Sequence, residues 1–160
     1  MDQNTTHNLD TQQVEIIGRN FLVAQLVAED LEVATPLRDE GVDLLVYTGK
    51  RSEGNFVAAP IQLKSAQAAI FGVDTKFLAF PSLILACVWG VKGAKGMQLY
   101  LMTYKQALEV AEELGWTRTN DFLAGGRYTT TDPSKRVLDA LAKHQYYPGL
   151  MRKLLSDIVG

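Results

Sequence analysis

Cysteine and histidine are scarce in this chain of 160 residues, which has one of the first, Cys87, and two of the second, His7 and His144. A single thiol closes no intrachain disulfide, and so few soft ligands exclude a multi-cysteine metal centre. Cys87 lies in the apolar run LILACVWGV and reads as a small buried hydrophobe, since a nucleophilic thiol needs a base beside it. Long hydrophobic runs are also missing. The longest, FLAFPSLILACVWGV, has 15 residues and is broken by Pro81, whereas a membrane span needs about 20. Neither sign of charge dominates: 16 Lys and Arg face 18 Asp and Glu, a net −2, so a polyanion would have to be held by a local patch rather than by the whole field. The opening MDQNTTHNLD has neither the charged start nor the apolar core of a secretory signal. These absences lead to the expectation of a soluble, cytoplasmic protein with no membrane partner.

What is present is an ordinary globular composition, 47% hydrophobic and 21% charged, at a length that buries one substantial core. No repeat, low-complexity segment or linker divides it. A polar tail over residues 1–10 and a single domain over 11–160 are expected.

The domain's elements announce themselves by period and punctuation. Asp10 with Gln13 makes a capping-box pattern, after which Val14, Ile17, Phe21, Ala24, Ala28 and Leu31 recur every three or four residues, predicting a helix of about 20 residues. Leu22, Val23, Leu26 and Val27 widen its apolar surface, predicting cover on more than one side. LEVATPL, VDLLVYTG and FVAAPIQLKSA then read as three strands, followed by LILACVWGV and GMQLYLMT around the turn KGAKG. Thr103 with Gln106 caps the helix YKQALEVAEEL, Asp132-Pro133 predicts a helix to about His144, and Pro148 opens the last one. WTRTNDFLAGGRYTTT reads as a loop, with GGR only a turn. Strands mixed with helices in this order give an α/β class.

Within these strands three polar residues are out of place. Side chains alternate across a strand, so Gln62 and Lys64 point one way while Ile61 and Leu63 point the other. If the second and third strands form a hairpin, Asp43 comes close to Gln62 and Lys64 at one end of the sheet. A carboxylate, an amide oxygen and the Leu63 carbonyl are the hard donors that Mg²⁺ prefers, and a lysine beside them stabilises charge developing on a phosphate. The same residues also fit a bland account, with Asp43 and Lys64 a structural ion pair and Gln62 satisfying backbone groups.

A long apolar helix followed by three strands, with Asp43 in GVDLLVY and Gln62 and Lys64 in IQLKSA, resembles the PD-(D/E)XK, or restriction-endonuclease-like, nuclease superfamily. The same region looks like members with glutamine at the second acid position, as in some Mrr-type restriction endonucleases and bacterial and phage-associated proteins of unassigned role. The resemblance implies a three-layer fold with a central mixed sheet, an αβββ start and flanking helices. It also implies hydrolysis of DNA phosphodiester bonds with Mg²⁺ or Mn²⁺. By the same resemblance Asp43 and Gln62 match the metal ligands and Lys64 the catalytic lysine. Val42 stands where the family has proline, and neutral Gln62 holds a cation more weakly than an acid does. The family's helix glutamate falls at Ala24, three residues before the valine of VAEDL, leaving Gln25 or Glu29 to reach the site from neighbouring turns.

A DNA endonuclease is therefore expected, as a homodimer because duplex cleavage takes two cuts and this chain has one candidate site. The alternative is a catalytically silent relative that binds nucleic acid or protein. Lys50, Arg51, Lys92, Lys95, Arg118 and Arg127 are the candidate phosphate contacts, and Trp116 and Tyr128 are either core or stacking residues.

Overall fold

The computed structural model describes residues 8–50 and 54–160. Helix α1, Thr11–Ala28, begins at the predicted capping box, with Gln13 N–H on the Asp10 carboxylate at 2.8 Å and Asp10 N–H on the Gln13 side chain at 3.0 Å. Such a cap stabilises a helix by about 1 kcal/mol. Leu9, immediately before the cap, packs against the core and accepts a hydrogen bond from Gln67.

α1 leads by a tight turn into β1, Leu31–Ala34, which pairs antiparallel with β2, Leu44–Thr48, and β2 pairs antiparallel with β3, Ala58–Ser65. After the short strand β4, Phe71–Asp74, the chain returns in β5, Ile84–Trp89, parallel to β3, and closes the sheet with antiparallel β6, Gln98–Thr103. The result is a mixed five-stranded sheet in the order β1-β2-β3-β5-β6. Pro60 is tolerated inside β3. Ile61 and Leu63 direct their main-chain groups to the β2 side, so Pro60 turns its nitrogen to the other edge, where β5 begins only at Ile84, opposite Ile61.

β5 is buried along its whole length and alternates between two cores. Ile84, Ala86 and Val88 join a core beneath α1 and the C-terminal helix α5, Leu150–Val159; Leu85, Cys87 and Trp89 join a second core on the opposite face. That second core is covered by α2, Tyr104–Glu113, and α4, Lys135–Leu141, so helices lie on both faces of the sheet. Among the described residues no helix is long and apolar enough to cross a membrane.

Several expectations change. α1 is fully buried only along Val14, Gly18, Leu22 and Leu26, with Ile16 and Val27 exposed, because it is an outer layer resting on one face of the sheet. Pro133 is not the first helical residue of α4: the cap is Ser134 and the helix starts at Lys135. The expected loop after Trp116 contains α3, Asn120–Gly125, and a strand β7, Arg127–Thr130, which pairs antiparallel with β4 in a separate ribbon. In GGR, Gly126 at φ +67° ends α3 and takes the chain straight into β7, with Thr75 Oγ1 where a β-carbon would sit. The ribbon is anchored by aromatic stacking, since Trp116 packs against Phe71 of β4 at 5.5 Å and Tyr128 of β7 at 4.7 Å. Both candidate stacking residues are thus packed into the fold.

Candidate active site

β2 and β3 separate at the end where β3 finishes, and Asp43 lies at the fork, one residue before β2 begins. Its N–H continues the ladder to the Ile61 carbonyl at 2.9 Å. The next rung is made by its side chain: the Leu63 N–H donates to Asp43 Oδ2 at 2.6 Å. The carboxylate is therefore fixed beside the backbone of β3, with Oδ1 left over.

Gln62 and Lys64 come from the same stretch of β3, and the three predicted residues line one cleft of about 260 Å³. Gln62 is buried, and among the described residues its side chain makes one long hydrogen bond, Nε2 to the Leu63 carbonyl at 3.4 Å. Lys64 is exposed and makes no ion pair among the described residues; its Nζ lies 6.0 Å from the centre of the Phe77 ring. The structural ion pair between Asp43 and Lys64 does not form, because the carboxylate is turned to the Leu63 N–H instead.

The cleft has an acidic wall that sequence reasoning did not find. Glu15 of α1 and Asp39 of the loop before β2 both line it. Ala24, Gln25 and Glu29, the positions considered for a helix acid, lie toward the other end of α1. Glu29 is about 21 Å along the axis from Glu15, where it caps the helix and accepts a hydrogen bond from Tyr146. Topology dictates this. β1 runs back along α1, so its end and the start of β2 meet the N-terminal turns of the helix. The local signal was the Glu15–Arg19 spacing and the glycine between them. The Arg19 guanidinium holds the Glu15 carboxylate at 2.6 Å, and a β-carbon on Gly18 would fall 2.0 Å from Ser65 Oγ. Only glycine lets α1 settle this close to the end of β3, which brings Glu15 over the cleft.

The electrostatics follow from this crowding. Burial pushes the Asp43 carboxyl above its ordinary range, and the Asp39 and Glu15 carboxylates push the same way, against the Leu63 N–H and Arg19. The cleft is thus short of positive charge on its acidic side. Its oxygen donors are Asp43 Oδ1, the Gln62 amide oxygen and the Leu63 carbonyl, which accepts the long bond from Gln62 until that amide turns, and such a set suits a hard cation. Among the described residues no three Asp, Glu, His or Cys side chains are close enough to make a metal cluster by themselves.

The candidate phosphate contacts divide by position. Lys50 lies at the far end of the β2–β3 hairpin, and Arg51 lies outside the described residues. Lys92 and Lys95 follow β5 at the same end of the sheet as Lys64 but do not line the cleft. Arg118 is in a short 3₁₀ turn after α2, while Arg127 lines the cleft adjoining Lys64. Cys87 is buried, its thiol pushed up to about 12 by desolvation, which makes it inert at neutral pH. Compared with protein-family models, with curated proteins and with solved structures, the chain matches none.

Proposed function

We propose that the chain is a metal-dependent deoxyribonuclease of the restriction-endonuclease-like type, hydrolysing DNA phosphodiester bonds in the cleft between α1 and β3. One observation carries this reading: Lys64 lines the same cleft as Asp43, Gln62 and Glu15 and makes no ion pair with any of the described residues. A lysine within the same cleft as three carboxylates, and paired with none of them, supplies a cation where negative charge arrives with a ligand. The αβββ start and the mixed sheet support the same fold type.

Asp43, Gln62 and the Leu63 carbonyl would hold Mg²⁺ or Mn²⁺, with Glu15 reaching it through water. Bound there, the cation supplies Lewis acidity and a water of lowered pKa. Asp43 is kept in place by its bond to Leu63, so its free oxygen needs no reorientation. Lys64 donates to a non-bridging phosphate oxygen and stabilises the charge that builds as water adds to phosphorus. The attacking water gives up a proton to solvent, one phosphorus–oxygen ester bond breaks, and the leaving oxygen takes up a proton from solvent in its place. Removing such a donor costs on the order of 10²–10³ in rate.

The test compares wild type, Lys64→Ala and Asp43→Asn on plasmid and oligonucleotide DNA with Mn²⁺. Cleavage by wild type alone supports the reading; equal cleavage by all three overturns it. A second reading, a catalytically silent nucleic-acid- or protein-binding module, is favoured by the Glu15–Arg19 ion pair, which occupies the only helix acid lining the cleft. In that case Mg²⁺ or Mn²⁺ leaves the thermal midpoint of the wild type unchanged.

A further inference from the structure

The cleft that contains Asp43 continues past Lys64 and Ile70, which line both spaces, into a second cleft of about 250 Å³ walled by the β4–β7 ribbon. Lys76, just after β4, and Arg127, the first residue of β7, border this second space. Lys64 and Lys76 share the Phe77 ring, with their ammonium nitrogens 6.0 and 4.9 Å from its centre. Half-buried Asp74, which also lines this space, offsets exposed Lys76 in part at 3.6 Å, whereas Arg127 and Lys64 make no ion pair among the described residues. The trough is therefore polarised along its length, acidic where α1 and the Asp39 loop form it and cationic where the ribbon does.

A phosphodiester backbone lying with its scissile phosphate at Lys64 meets two further cations in one direction and carboxylates in the other. Among the described residues the two clefts are lined by three cations in all. That is enough to neutralise a short stretch of one backbone, and no further described cation lines either cleft to take the second backbone of a duplex. We infer that the β4–β7 ribbon is the strand-holding wall of the site, with Lys76 and Arg127 taking the phosphates next to the one at Lys64, and that the substrate is a single nucleic-acid strand. This rests on the nucleic-acid reading of the Asp43 cleft. One strand needs one cut, so no second copy of the chain is required.

The experiment measures binding without chemistry. A short labelled single-stranded DNA, and the same strand annealed to its complement, are titrated in EDTA over a range of salt with wild type, Lys76→Ala/Arg127→Ala and Asp43→Asn. The single strand should bind more tightly than the duplex. The double variant should bind it about tenfold more weakly, with the slope of log affinity against log salt reduced by about 1.4, since each cation contributes about 0.7 on a single strand. Asp43→Asn should bind at least as well as wild type. A double variant with the wild-type slope, or tighter binding of the duplex, overturns the inference and leaves the nuclease reading intact. Ribbon-dependent binding by a protein that cleaves nothing supports the inference and removes the nuclease. No binding by wild type overturns both.

Discussion

The Asp43 carboxylate and the Leu63 amide stand in for one rung of the β2–β3 ladder, at 2.6 Å. The side chain thus does structural work with one oxygen and is available for chemistry with the other.

That double duty predicts a pH dependence. In the folded protein the Asp43 carboxyl titrates above its ordinary value, mainly through burial. The folded state therefore binds the proton more tightly than the unfolded chain, and stability falls as pH rises from the ordinary carboxylate pKa through the raised one. Asparagine keeps an acceptor for Leu63 and removes the charge. Asp43→Asn should raise the thermal midpoint of metal-free protein at neutral pH and lose most of that advantage near pH ~4, where aspartate is itself protonated. Adding Mg²⁺ should reverse the ranking, because only the wild type gains from it. Thermal melts at two pH values with and without Mg²⁺ check all three points.

In the proposed metal site Gln62 would be the weak donor, its side chain buried with one long hydrogen bond among the described residues. Gln62→Glu adds a formal charge beside Asp43. The metal-free protein should lose about 1–3 kcal/mol, the cost of an unpaired buried charge-bearing group that protonates in response. Mg²⁺ should then stabilise the variant more than it stabilises wild type, measured as the shift in midpoint on titration.

Glu15 faces the cleft from α1 and is held by Arg19. Because it is exposed, Glu15→Gln should change stability by no more than about 0.5 kcal/mol. Metal dependence should shift instead, with roughly 10–100-fold more Mn²⁺ needed for half-maximal cleavage, as when outer partners of a metal ligand are removed. Glu29→Gln, at the other end of the helix, should leave the Mn²⁺ requirement alone.

Gly18 sets how closely α1 approaches β3. Alanine is the better helix former by about 1 kcal/mol, yet its β-carbon would overlap Ser65 Oγ at 2.0 Å and Ser65 Cβ at 2.7 Å. Gly18→Ala should therefore destabilise the fold by about 1–3 kcal/mol. Adding Ser65→Gly, which removes both obstructing atoms, should recover much of the loss. Denaturant melts of the single and double variants measure the coupling.

Much of this architecture is legible in the sequence where local signals are strong and agree with the tertiary solution. The two capping boxes, at Asp10 and Thr103, form as written. The strands around Val46, Leu63, Ala86 and Leu101 are long enough for their apolar character to show. β4 and β7 are not legible, because four residues such as FGVD or RYTT have no measurable period and are held by pairing and by the Trp116 stack, both made by distant segments. The meeting of Asp43, Gln62 and Lys64 follows from the hairpin alone, since it needs only alternation and pairing. Glu15 was missed because the helix acid was sought by counting from VAEDL at the wrong end. The direction of β1 relative to α1, which decides the matter, is a property of the assembled sheet.

The ribbon of β4 and β7 has one further consequence. Its two strands are four residues each, and they join segments far apart in the chain, whereas Asp43 and Gln62 are rooted in a five-stranded sheet between two cores. Yet Phe71 and Val73 of β4 are buried in the same core as Leu85 and Cys87 of β5. Parting the ribbon would uncover that shared core, so the cationic half of the trough is tied to the acidic half by common apolar packing rather than by strand pairing.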